Sequence, residues 1–140
     1  MMTNNTHPKI LIITAAKDEA EFIEKTIRSL ENQTCRPARW VIVNDGSSDA
    51  TAELADAAAQ KHDWISVIHR PAGTVRRVGP GMVEAFYAGL DSQNLNDFDF
   101  VTKMDADIEL QPQYLDFFER PKWCQQPLPG PFFVCRGCRS

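Results

Sequence analysis

Four short runs of branched and aromatic side chains, Lys9–Thr14, Trp40–Val43, Trp64–His69 and Phe98–Met104, alternate with stretches whose apolar residues recur every three or four positions. That alternation constrains the fold more than any other feature. Continuous apolar runs of this length read as strands buried on both faces, and the segments between them read as helices with one apolar stripe. Ile23, Ile27 and Leu30 stand at i, i+4 and i+7, with Glu21, Glu24, Lys25 and Arg28 between them. This spacing predicts an amphipathic helix over Glu19–Gln33, which Pro37 cannot continue. Ser48 or Asp49 can cap a second helix, through an alanine-rich stretch to about His62. Met82, Phe86 and Leu90 mark a third, and Pro112 stands near the start of a last short helix through Tyr114, Leu115 and Phe118. The order β-α-β-α-β-α-β-α predicts an α/β fold, a Rossmann-like parallel sheet flanked by helices. In such sheets ligands bind beyond the carboxyl ends of the strands, so the loops after Thr14, Val43, His69 and Met104 matter most.

Composition bounds the function. Apolar residues at 43% and charged residues at 24% support a packed core rather than disorder. A net charge of -4 argues against a nucleic-acid partner. No apolar run reaches the ~20 residues that span a bilayer, so no integral membrane segment is expected. The polar start MMTNNTHPK lacks the apolar stretch of a signal peptide, and a soluble cytoplasmic location is expected.

The two ends of the chain differ. Residues 1–120 hold all 19 acidic residues, whereas residues 121–140 hold none, together with four prolines and three of the four cysteines. The expected division is one domain over 1–120 and a Pro- and Cys-containing tail over 121–140, a natural tail or the product of a shifted reading frame. Cys135 and Cys138 have the spacing of a zinc half-site, but only Cys124 and the distant Cys35 could complete it. Reduced, incidental cysteines are the simpler reading.

Two loops carry chemistry. After the second strand, Asn44-Asp45-Gly46-Ser47-Ser48-Asp49 presents a carboxylate and small hydroxyls, residues that equally serve a turn and a helix cap. After the fourth strand come Asp105 and Asp107, two apart, so that in extended chain both carboxylates point to one side. Like charges this close repel unless a cation or hydrogen-bond donors compensate. Oxygen ligands so arranged suit Mg²⁺ or Mn²⁺ shared with substrate phosphates; the bland alternative is a solvated, capped turn.

Taken together, these features resemble the family 2 glycosyltransferases with the GT-A fold. The resemblance runs in order over residues 9–119: the apolar first strand with Asp18-Glu19 opening its helix, then Ser29-Leu30-Glu31-Asn32-Gln33-Thr34, Val43-Asn44-Asp45-Gly46-Ser47-Ser48-Asp49-Ala50-Thr51, and Lys103-Met104-Asp105-Ala106-Asp107-Ile108. It implies the donor-binding half of an inverting, metal-dependent glycosyltransferase that uses a nucleotide-diphosphate sugar, a UDP- or GDP-sugar, with Mn²⁺ or Mg²⁺ as cofactor and an unknown acceptor. It implies that Asp45 hydrogen-bonds the nucleotide base, that Asp105 reaches the ribose, and that Asp107, with Asp105, holds the metal. Thr14, Lys17 and Glu19 would border the base pocket, and Arg76 and Arg77 would approach the pyrophosphate. The family's acceptor base lies beyond the Asp-x-Asp, and nothing in residues 121–140 resembles the acceptor half. Ala15 and Lys17 stand where the family usually has Pro and an aromatic residue, and Asn44 stands where it usually has Asp.

Other classes fit less well. A dehalogenase-type phosphotransferase carries its Asp-x-Asp on the first strand, followed by Thr or Val where Glu109 stands here. A sugar nucleotidyltransferase shows a Gly-rich, Arg-bearing loop after its first strand, and TAAKDEA is not one. The non-enzyme alternative is a nucleotide-sugar-binding module or remnant without catalysis.

Overall fold

The computed structural model describes residues 8–71, 80–119 and 133–135. In chain order the elements are β1 (Ile10–Ala16), α1 (Ala20–Glu31), β2 (Arg39–Asp45), α2 (Thr51–Lys61), β3 (Ile65–Arg70), α3 (Pro80–Asp91), β4 (Phe100–Lys103) and β5 (Phe133–Cys135). Short 3-10 turns occupy Leu95–Asp97 and Leu115–Glu119.

The sheet order is β3-β2-β1-β4-β5. β1 to β4 are parallel, as expected, and β5, within the compositionally distinct tail, adds antiparallel to β4. Because side chains alternate along a strand, each central strand feeds two cores. Ile10, Ile12, Trp40 and Ile42 pack with Ile23, Ile27 and Leu30 of α1 and Ala55 and Ala58 of α2. Leu11, Ile13, Val41 and Val43 pack on the opposite face with Ala85 of α3. Burial on both faces explains why β1 and β2 read as unbroken apolar runs.

Three expectations change in detail. Ala50, not Ser48 or Asp49, occupies the N-cap position of α2 and makes no side-chain cap. Asp49 lies one residue earlier and accepts the Thr51 amide at 2.9 Å. The helix expected to start near Pro112 is only the 3-10 turn Leu115–Glu119. The carbonyls that would open a longer helix are taken: that of Pro112 accepts the Thr34 amide at 2.8 Å, and that of Gln111 accepts Gln33 Nε2 at 2.6 Å. The fourth strand begins at Phe100 rather than Phe98, whose amide closes the preceding turn onto Leu95.

The chain reverses its direction of growth across the sheet at β1. β2 and β3 lie on one side and β4 on the other, so the crevice beyond the carboxyl ends of β1 and β4 is where an α/β sheet of this topology binds ligands.

Candidate functional site

The loops after β1 and β2 are laced together. The Asp18 amide donates to Ser47 Oγ at 3.0 Å, the Glu19 amide to Thr51 Oγ1 at 2.9 Å, and the Ala20 amide to Asp49 Oδ2 at 3.1 Å. In return, Asp18 Oδ1 accepts the Ser48 amide at 2.7 Å and the Ser48 hydroxyl at 3.2 Å. The amides that open α1 are thus satisfied by the loop that opens α2, since a helix start leaves its first N–H groups without intrahelical partners. Two left-handed residues make the lacing possible: Asp18 at φ 53° and Gly46 at φ 68°. Aspartate tolerates that region better than most side chains, and glycine adopts it without steric cost. Most of the Asp, Ser and Thr residues of these loops are therefore consumed structurally.

The acid groups respond accordingly. The Ser48 amide lowers the Asp18 pKa below its ordinary value, and the Thr51 hydroxyl does the same for Asp49. Glu19 moves the other way. Partial burial raises its pKa, and the negative charges of Asp107, Asp49, Asp105 and Asp18 raise it further. The acidic ends of β1 and β4 thus feel each other across the crevice.

Asp45 ends β2 directly opposite Arg70 at the end of β3. Arg70 Nη1 donates to Asp45 Oδ1 at 3.1 Å, and its other terminal nitrogen lies 3.3 Å from Glu84 of α3. Asp105 is paired with Lys103, Nζ to Oδ1 at 2.6 Å. Asp105 and Asp107 are exposed, and Ala106 between them is buried. Ala106 and Asp107 lie in a turn rather than in the extended chain expected for this pair, yet both carboxylates are exposed.

Thr14 lies on the same face of β1 as Ile12 and is fully buried. Its hydroxyl accepts the Trp40 indole N–H at 2.9 Å, so it shapes the floor of the crevice rather than its surface. Lys17 is half-buried in the loop above it. Arg76 and Arg77 lie outside the described residues. The structure brings Glu19, Asp105 and Asp107 within electrostatic range of one another, with Asp45 at the end of the next strand.

Some contributors were not visible as site residues in the sequence. Arg70 carries no pattern of its own; the only signal was its place just after the third strand. Thr26 of α1 reaches the Ala106 carbonyl between the two acids, and Gln33 and Thr34, just beyond α1, reach Gln111 and Asp116 further along; the signal of Thr26 was polarity at a buried helix position.

The donor set fits a hard divalent cation. Among the described residues no three His, Cys, Asp or Glu side chains form a group that could hold a metal. One or two carboxylates with phosphate and water completing the shell is the usual arrangement for Mg²⁺ and similar ions. Among the described residues no helix is long and apolar enough to cross a membrane.

The chain is similar to known proteins over most of its described length. The chain is 29% identical over 112 residues to the putative glycosyltransferase EpsH of Bacillus subtilis (strain 168), covering 78% of this chain and 29% of EpsH. It is 30% identical over 99 residues to the poly-beta-1,6-N-acetyl-D-glucosamine synthase of Staphylococcus aureus (strain COL), covering 70% of this chain and 21% of that protein. The chain therefore spans less than a third of the length of either relative. Among solved structures, residues 1–349 of S. aureus TarS align with a TM-score of 0.64 at 21% identity, over 78% of this chain and 30% of that fragment. The mannosyltransferase PcManGT from Pyrobaculum calidifontis, solved with GDP-Man and Mn²⁺, aligns with a TM-score of 0.62 at 21% identity, over 88% of this chain and 34% of its own. The sequence model of glycosyl transferase family 2 matches residues 11–116, most of the described domain, and the chain belongs to that family.

Proposed function

We propose that this chain is the donor-binding part of an inverting glycosyltransferase that takes a nucleotide-diphosphate sugar and depends on Mn²⁺ or Mg²⁺. The observation that carries the reading is the arrangement of carboxylates around β1: Asp45 ends β2 on one side, and Asp105 and Asp107 follow β4 on the other. PcManGT with GDP-Man and Mn²⁺, and the glucosyl-3-phosphoglycerate synthase of Mycobacterium tuberculosis with UDP and Mn²⁺, support it from within the same fold.

On this reading Asp45 accepts a hydrogen bond from the base, held in place by Arg70. Thr14, Lys17 and Glu19 form the floor and rim of the base pocket. Asp105 faces the ribose and Asp107, with Asp105, holds the cation, while Arg76 and Arg77 approach the pyrophosphate. When bound, the cation supplies positive charge that offsets the anion developing on the departing diphosphate. Inversion requires a base that deprotonates the acceptor hydroxyl, which in the family lies beyond the Asp-x-Asp. The 140-residue chain is expected to bind nucleotide.

Calorimetry with UDP and GDP, with and without Mn²⁺, tests the reading. Two carboxylates facing a diphosphate repel it by ~1 kcal/mol per unit pair at ~4 Å in water, and severalfold more in a partly buried cleft. Removing that repulsion predicts at least about tenfold tighter binding with the cation. Asp107→Asn should lose most of this gain, whereas Asp45→Ala should weaken binding even without metal. An affinity indifferent to the cation would overturn metal dependence.

A further inference from the structure

The segment carrying Asp105 and Asp107 has no regular structure between the end of β4 at Lys103 and the 3-10 turn at Leu115. It is nevertheless tied down, by the Met104 amide to the Ile13 carbonyl of β1 at 3.0 Å and, beyond that, from α1 and the residues just after it. The Thr26 hydroxyl of α1 donates to the Ala106 carbonyl at 2.7 Å, a buried bond that joins residues 80 apart in sequence. Thr26 is fully buried and Ala106 is 3% exposed. Further along, Gln33 donates to the Gln111 carbonyl at 2.6 Å and accepts the Leu115 amide at 3.1 Å. Thr34 donates its amide to the Pro112 carbonyl at 2.8 Å and its hydroxyl to Asp116 at 2.5 Å.

The bond at Ala106 lies between the two carboxylates. Fixing the middle carbonyl against α1, with the Ala106 methyl buried, turns both flanking side chains outward. Asp105 and Asp107 are indeed exposed on either side of the buried Ala106. The Thr26 hydroxyl has one proton, and its other acceptor, the Phe22 carbonyl one turn back, is more distant at 3.4 Å. The tie to Ala106 is the better bond.

We propose that Thr26 is a positioning residue for the Asp105–Asp107 pair: its hydroxyl sets the depth and orientation of the turn so that both carboxylates meet one cation. The inference rests on the metal-dependent nucleotide site proposed above. Partners that orient metal ligands typically change metal affinity about 10–100-fold when removed.

Thr26→Val keeps the shape and removes the donor, and Thr26→Ser keeps the donor and removes a methyl. UDP and GDP affinity is measured by calorimetry with and without Mn²⁺ for wild type and both variants, with thermal denaturation to establish that each is folded. The expected result is that Thr26→Val cuts the Mn²⁺-dependent gain by about tenfold while affinity without metal stays within about twofold, and that Thr26→Ser retains the gain. Equal losses with and without Mn²⁺ would mean a purely structural role and overturn the proposal. So would an undiminished gain in Thr26→Val, or a lost gain in folded Thr26→Ser, which decides the matter even where the valine variant does not fold. A wild type without any Mn²⁺ effect, but still weakened by Asp45→Ala, overturns the metal reading itself and Thr26's role with it, a pattern distinct from the others.

Discussion

Substituting Gly89 by alanine should destabilise the protein, although alanine is the better helix former. Gly89 lies in the third turn of α3, where the helix presses on the sheet. A Cβ there would stand 2.7 Å from Ile13 Cγ2 and 3.0 Å from Val43 Cγ2. Both methyls belong to β-branched side chains, fully buried on the two central strands, so neither can rotate away cheaply. The helix must lift instead. Overpacking of this kind costs about 1–3 kcal/mol, and the exchange of glycine for alanine in a helix interior returns about 1 kcal/mol. The net expectation is a loss of about 1 kcal/mol, or roughly 4 °C in Tm for a domain of this size.

Gly81, in the first turn of the same helix, is the internal control. Its added Cβ would meet only Asp45 Oδ2, at an ordinary 3.6 Å, so Gly81→Ala should leave Tm unchanged or slightly raised. Thermal and urea denaturation followed by circular dichroism compare the two. Lifting α3 also moves Glu84 away from Arg70, so nucleotide affinity without metal should fall in Gly89→Ala as well. A Gly89→Ala variant at least as stable as Gly81→Ala would refute the claim that α3 sits at the closest approach the sheet allows.

Acid should unlace the two loops. Asp18 and Asp49 both have folded pKa values below the ordinary 3.8, so their stabilisation is full above the unfolded value and is lost as pH falls through the folded ones. Tm measured from pH 5 to pH 2.5 should drop more steeply for wild type than for Asp18→Asn, which keeps an acceptor and tolerates the same backbone; superimposable profiles would contradict this. Arg70→Met should cost about 1 kcal/mol, between the worth of exposed and buried ion pairs, because the paired side chains of Arg70 and Asp45 are 26% and 22% exposed. Metal-free calorimetry should show the same variant binding nucleotide severalfold more weakly, and unchanged binding would mean that Arg70 does not hold Asp45 for a ligand.

What the sequence disclosed and what it withheld have physical causes. The central strands were legible because burial on both faces leaves an unbroken apolar signal, yet β1 runs on to Ala16 and β2 to Asp45, where the ladder continues without that signal. Strand order was not legible, since placing β4 beside β1 is a matter of crossovers rather than of local pattern. Asp45, Asp105 and Asp107 were legible as candidates because an acid directly after a buried strand must lie at the sheet's carboxyl edge. Arg70 was not, because its pairing arises from the register that sets it opposite Asp45. Thr26 and Gln33 occupy a middle ground. Thr26 stands among Ile23, Ile27 and Leu30 of the apolar stripe, and Gln33 follows two residues after the end of α1 at Glu31. A polar side chain in such a stripe costs stability unless it finds a partner, so its presence there announces a tie to something. Only the fold says to what: for Thr26 the answer is a carbonyl 80 residues away, between the two acids that the sequence had already singled out.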